Sequence, residues 1–211
     1  MRPPRVFRHP ALEDFDPQRD TKNHEDDINV LNPFALFVRF VIKKAFVAIE
    51  KMEHKRIQNP DLHVVLYQPE IPANTGNIAR LCGAAEVCLH LIHPLGFKVD
   101  DKHLRRAGLD YWGEVDIRHY GSFSDFLEVI NQNNMSSILA FSKKASIFYT
   151  QAKVKRGSYL LFGPETRGLP DELMNDFPCY RIPIRGKVRS LNLSTSVGIL
   201  VYHYLYQLGC F

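Results

Sequence analysis

From about residue 61 onward, short unbroken apolar runs alternate with stretches whose apolar positions recur every three or four residues. The runs His63–Tyr67, Leu89–Ile92, Ser137–Phe141, Ser158–Phe162 and Cys179–Ile184 are predicted strands, and continuity of this kind suits strands covered on both faces. The three- and four-residue spacing predicts helices over Asn77–Ala85, Phe123–Asn131 and Leu191–Leu208, the last with Val197, Leu200, Val201, Tyr204 and Leu208 on one side. Strands alternating with helices predict an α/β fold, a mostly parallel sheet with helices on both faces. Upstream the pattern changes. From Pro33 to Ile57 the apolar residues Phe34, Phe37, Val38, Val41, Ile42, Ala45, Ala48, Ile49 and Met52 predict an amphipathic helix. Its apolar face must be buried against the main domain or a second copy, or lie on a membrane surface, given that Arg39, Lys43 and Lys44 sit close together. Residues 1–32 are polar and spotted with Pro3, Pro4, Pro10 and Pro17, which reads as a flexible tail. The organisation predicted is a tail over 1–32, a helical extension over 33–60 and a folded domain over 61–211.

The 211 residues carry 27 Lys+Arg against 23 Asp+Glu, a net charge of +4, which tolerates a polyanion without marking an arginine-rich binder. Cys82, Cys88, Cys179 and Cys210 lack C-x-x-C spacing, so a zinc knuckle, a thioredoxin-type site and a disulfide framework are poor readings, and no metal is expected. No stretch has the roughly 18 uncharged apolar residues of a membrane span. The first thirty residues hold no apolar signal core and seven acids, which argues against a secretory signal or a transit peptide. The expectation is a reducing compartment, the cytoplasm, with an organelle as the alternative.

In parallel α/β sheets, ligands bind at loops leaving the carboxyl ends of strands. Three such loops are unusually specified. Gln68–Arg80 follows the strand HVVLY; Pro69, Pro72 and Gly76 fix its backbone, and Asn74 and Thr75 suit caps for the next helix. Phe162-Gly-Pro-Glu-Thr-Arg-Gly-Leu169 follows the strand SYLLF, and Arg189-Ser-Leu-Asn-Leu-Ser194 leads into the last helix. The common nucleotide motifs are absent. There is no G-x-G-x-x-G, and Gly163–Gly168 has P-loop glycine spacing but is followed by Leu169-Pro170 instead of Lys-Ser/Thr. Neither H-E-x-x-H nor G-x-S-x-G occurs.

Taken together, the loops resemble the SpoU branch of the SPOUT superfamily of RNA methyltransferases. Asn74 through Arg80 matches its first motif, Phe162–Leu169 its second, and Ile182-Pro followed by Ser-Leu-Asn-Leu-Ser its third. Residues 63–211, including Asp100–Tyr111, are similar to the small enzymes that methylate the ribose of the tRNA wobble nucleotide, cytidine or uridine. The resemblance implies a C-terminal deep trefoil knot, an obligate homodimer and S-adenosylmethionine as methyl donor. It also implies that Phe141, Gly163, Ile182, Ser190 and Leu191 cradle the donor, although Phe141 and Ile182 equally suit ordinary strand core. The alternatives are another tRNA position, ribosomal RNA, or a non-catalytic RNA-binding module.

The reaction so implied is attack of a ribose 2′-hydroxyl on a sulfonium methyl, so the site must stabilise a developing alkoxide and accept a proton. Arg80 occupies the family's key position. A guanidinium, with a pKa of about 12.5–13.8, is a reluctant base, so charge stabilisation is its expected role. Glu165 is expected to orient Arg80 through a bidentate pair. Asn74 and Asn192 match the other polar positions, Asn192 also suiting a helix cap. For RNA, Lys102, Arg105 and Arg106 form a basic stretch followed by Tyr111, which suits stacking on an anticodon-loop base, and Arg189 suits a phosphate near the reacting ribose.

Overall fold

The computed structural model describes residues 56–98, 113–132 and 138–211. The expected tail, nearly all of the helical extension, and Lys102, Arg105, Arg106 and Tyr111 lie outside these residues. The described elements are β1 (Leu62–Tyr67), α1 (Pro72–Ala85), β2 (Cys88–Ile92), β3 (Ile117–Tyr120), α2 (Phe123–Gln132), β4 (Ile138–Phe141), β5 (Ile147–Phe148), a 3₁₀ turn (Tyr149–Gln151), β6 (Ser158–Phe162), α3 (Asp171–Asp176), β7 (Cys179–Arg181) and α4 (Leu193–Gln207). Strand order is β3-β2-β1-β6-β4-β7-β5, with every pair parallel.

Because side chains alternate across a strand, β1 feeds two cores. Leu62, Val64 and Leu66 join Ile78, Ala79 and Cys82 of α1 and Val197, Leu200, Val201, Tyr204 and Leu205 of α4. Val65 joins the other face, with Phe126 and Ile130 of α2 and Leu173 and Met174 of α3. Helices therefore cover both faces, as the alternation predicts. Each fully buried Val or Leu contributes about 1.5–3 kcal/mol, so α4 alone anchors the C-terminal segment strongly.

The second core contains a polar chain that runs from β1 across β2 to β3. His63 Nδ1 lies 2.9 Å from His90 Nε2, and His90 Nδ1 lies 2.9 Å from the Tyr120 hydroxyl. The His63 ring stacks on Tyr159 at 4.0 Å. Burial, reinforced by the positive charge of Arg118, lowers the His63 pKa to about 3, and burial likewise holds His90 well below its ordinary value. Both rings are thus neutral. Nearby, the fully buried Asp116 carboxylate accepts bonds from Arg118, Arg56 and the Ile57 N–H. Burial alone would raise its pKa, but those donors outweigh it and hold the carboxyl below its usual range.

The register sets up the functional edge. Leu66 pairs with Phe162, Phe162 with Phe141, and Phe141 with Tyr180. The carboxyl ends of β1, β6, β4 and β7 therefore lie in one row, so the loops after them emerge side by side. Strand order also reverses at β1: β2 and β3 extend to one side of it, while β6, β4, β7 and β5 lie on the other. That reversal is where open parallel sheets form a ligand crevice.

Candidate active site

The helix expected from Asn77 begins at Pro72, five residues earlier. Proline suits the first turn because its missing N–H would have had no intrahelical partner. Asn74 and Thr75 therefore sit inside α1, 6% and 0% exposed, and the expectation that they cap it is corrected. Polar residues in a helix interior need partners when buried, and Asn74 has two. Its Nδ2 donates to Glu165 Oε1 at 3.0 Å, and its Oδ1 accepts from Asn192 Nδ2 at 2.9 Å.

The chain of bonds continues at both ends. Glu165 also accepts from the backbone N–H groups of Glu70 at 2.8 Å and Ile71 at 3.3 Å. Asn192 Oδ1 caps α4 through the N–H groups of Ser194 and Thr195. Glu70 returns the contact, its carboxylate accepting from the Thr166 hydroxyl at 2.6 Å and the Thr166 N–H at 2.9 Å. Those two bonds are the main reason its carboxyl is held below the usual range. Two carboxylates thus lace the loops after β1 and β6 reciprocally, and Asn74 and Asn192 join both to the start of α4. The bidentate Glu165–Arg80 pair expected from the sequence is not the arrangement found: Glu165 is engaged by Glu70, Ile71 and Asn74.

These loops enclose a cavity of about 370 Å³. Asn74, Glu165, Asn192, Phe141, Gly163, Ile182, Ser190 and Leu191 all line it. Phe141 is 8% exposed and stacks on Phe162 at 5.3 Å, so it serves as core and as cavity wall at once. Gly163 is required for a reason other than room for a ligand. A Cβ there would lie 2.2 Å from Leu169 N and 2.4 Å from Gly168 C, so the loop closes on its own first residue. Gly168, at φ +72°, turns the chain back, and its N–H bonds Pro164 O at 2.8 Å.

Arg80 is exposed on α1 and does not line this cavity, and Arg189 is exposed beside Ser190 at its rim. Sequence reasoning passes over the loop after β4, whose Ser142, Lys143 and Lys144 line the cavity, and also Tyr180 and Arg181 of β7. The signal is present: a ligand at the carboxyl edge is open to every strand that ends there, and β4 is a predicted strand. Elsewhere, among the described residues, the donor atoms of His63, Cys88 and His90 lie within 4.8 Å of one another. Burial pushes the Cys88 thiol far up, so it stays protonated, and the two imidazoles are joined by their hydrogen bond.

The family model for the SpoU rRNA methylase family matches residues 61–202, spanning all three loops and the strands before them. The chain belongs to the SpoU family. This SpoU chain is 51% identical over 148 residues to a Geobacillus stearothermophilus protein provisionally named tRNA (cytidine(34)-2′-O)-methyltransferase, covering 69% of this chain and 94% of the relative. It is 44% identical over 151 residues to the Escherichia coli K12 protein of that name, covering 70% and 94%. A solved structure concerning 2′-OH methylation of C/U34 on tRNA superposes with a TM-score of 0.67 at 49% identity, covering 71% of this chain and 97% of that one. The SpoU fold thus accounts for the mostly parallel sheet, and the loop network described above lies within the matched residues.

Proposed function

We propose that this SpoU protein methylates the 2′-hydroxyl of the wobble nucleotide, position 34, of tRNA, using S-adenosylmethionine. The observation that carries the reading is the convergence of the three motif loops on one cavity, joined by the Glu165–Asn74–Asn192 chain. The cavity fits such a donor. Phe141, Phe162, Ile182 and Leu191 give an apolar wall for a purine, and Glu165 offers a negative charge beside it. Arg181 also lines the cavity, and its buried Nε has no hydrogen-bond partner among the described residues, which suits a carboxylate ligand. When bound, S-adenosylmethionine supplies an electrophilic methyl carried on a sulfonium.

The chain's own residues then have separate tasks. Asn74 and Asn192 hold the motif loops in register. Glu165 fixes the loop after β6 against the start of α1. We assign Arg80 to steadying the negative charge on the attacked oxygen. Since Arg80 lies outside its own chain's cavity, the role requires the ribose, or the cavity of a second copy, to come to it. The homodimer and the knotted C-terminal segment of the family belong to this reading. Support for a second copy is the face of α4 that leaves Ile199, Tyr202 and Tyr206 exposed at 37%, 44% and 71%. Among the described residues no helix is long and apolar enough to cross a membrane; a cytoplasmic setting accords with the four free cysteines.

The test is incubation with labelled S-adenosylmethionine and total tRNA, followed by nucleoside mass spectrometry and mapping. 2′-O-methylcytidine or 2′-O-methyluridine at position 34 is expected. Label at another position, or in ribosomal RNA alone, would overturn the substrate assignment.

A further inference from the structure

Charge along the folded domain is unevenly spread. Residues 142–152 and 179–191 together carry Lys143, Lys144, Arg181, Arg185, Lys187 and Arg189 and no Asp or Glu, although the whole chain nets only +4. The fold brings these two segments together. β5 pairs with β7, Ile147 with Tyr180 and Phe148 with Arg181, and β5 is the last strand of the sheet order. The acid-free stretches thus meet at the carboxyl edge of the sheet, where Lys143, Lys144 and Arg181 also line the cavity, Lys144 being paired with Asp171 at 2.9 Å.

Apolar side chains are interleaved with those cations. Ile147 is 45% exposed, Phe148 39% and Val188 63%. Phe148 is also held in place: the Arg181 guanidinium sits over its ring, 5.0 Å from the centroid. An aromatic ring with a cation against it, set among further cations, is the construction that binds unpaired nucleotides. Bases stack on the ring and the backbone phosphates meet the charges. A protein partner rich in acids would satisfy the charge but would not need a rigid exposed ring.

We propose that the β5–β7 edge is the docking surface for single-stranded RNA beside the reacting nucleotide, with Phe148 as the stacking platform for an unpaired base. The inference rests on the tRNA reading above and names the surface that reading lacks. It differs from the RNA contacts suggested by the sequence, which centre on residues 102–111. Lys143 meets the backbone phosphates at the cavity, and Arg185, Lys187 and Arg189 meet them beyond its lining.

The experiment uses the full-length protein and a fluorescent anticodon stem-loop RNA, with binding read by anisotropy and methylation measured in parallel. Phe148→Ala should weaken stem-loop binding by roughly 5- to 100-fold, the range of one lost base–aromatic stack. Phe148→Tyr, which keeps a ring against Arg181, should restore it. Each of Arg185→Ala and Lys187→Ala should reduce the slope of log K against log salt by about one. A fully paired duplex of the same length should be insensitive to Phe148→Ala. Stem-loop binding by Phe148→Ala equal to wild type would overturn the inference, as would equal weakening for the duplex, whatever the methylation result. Normal sensitivity to Phe148→Ala with no methylation of tRNA would instead overturn the functional reading and leave the surface standing.

Discussion

Asn74 offers a direct test of the network because one atom can be changed without changing size. In Asn74→Asp the Nδ2 that donates to Glu165 Oε1 at 3.0 Å becomes a carboxylate oxygen, while the oxygen that accepts from Asn192 remains. Two like charges at that separation repel by about 5.5 kcal/mol at an effective dielectric of 20 and by about 1.4 kcal/mol if fully screened by water. Asn74 is 6% exposed and Glu165 half-buried, which places the penalty between those limits. Asn74→Ala loses both bonds instead, about 1.5–3 kcal/mol for the one to a carboxylate and about 1 kcal/mol for the neutral one. The two variants differ in how they respond to pH. Like charge raises the pKa of the pair formed by the introduced carboxyl and Glu165, so on acidification one of the two is protonated and donates to the other, rebuilding the lost bond. The Asn74→Asp defect should therefore shrink between pH 8 and pH 5.5, and the Asn74→Ala defect should not. Urea denaturation and calorimetric titration with S-adenosylmethionine, each relative to wild type at the same pH, measure it. An Asn74→Asp protein as stable and as tight-binding as wild type at pH 8 would refute the network, and so would a defect that ignores pH.

Gly163→Ala forces a Cβ to within 2.2 Å of Leu169 N, so the loop must retreat by about 1 Å; thermal melts should show a loss of about 1–3 kcal/mol and calorimetry a weakened donor affinity, and unchanged values would contradict the reason given for the glycine. Arg80→Ala should lower single-turnover methylation roughly 10²–10³-fold with donor affinity intact, and Arg80→Lys should rescue only in part; near-normal turnover would remove Arg80 from the chemistry. Should Arg80 serve the cavity of a second copy, mixed dimers of the Arg80→Ala and Gly163→Val chains regain activity that neither homodimer has, and silence of the mixture argues for the same chain. Acid should destabilise the fold. His63 stays neutral down to about pH 3 when folded but binds a proton near 6.5 when unfolded, so its contribution is fully present above 6.5 and falls by about 1.4 kcal/mol per pH unit between 6.5 and 3. His90 acts in the same direction, and urea midpoints that do not move between pH 7.5 and pH 5 would contradict both.

The strands of the sheet centre are legible in the sequence because burial on both faces leaves a continuous apolar run. Ser158–Phe162 is found as predicted, and β1 begins one residue earlier. β3 escapes the pattern because Ile117-Arg-His-Tyr is half polar: Arg118 answers Asp116 just before the strand, and Tyr120 answers His90 on β2. β5, two exposed residues long, has no periodicity to detect. β7 stops at Arg181, short of the expected Ile184, because Pro183 cannot donate to a ladder.

The candidate site divides along a similar line. Which residues line the cavity follows from motifs at strand ends, because a parallel sheet sends those loops to one edge whatever their sequence. Which residues touch each other does not follow. Arg80 is the chemically obvious partner for Glu165, whereas the register places Glu165 against the amino end of α1, where backbone N–H groups and an amide had no other acceptor. Asn74 and Thr75 look like caps because in isolation a polar pair after proline favours a turn. They are helical because the helix start is held from outside, by a carboxylate 91 residues further along the chain from Asn74. Local preference yields at this one place, where the loops meet through hydrogen bonds, and a site assembled from three distant segments has to override local preference somewhere.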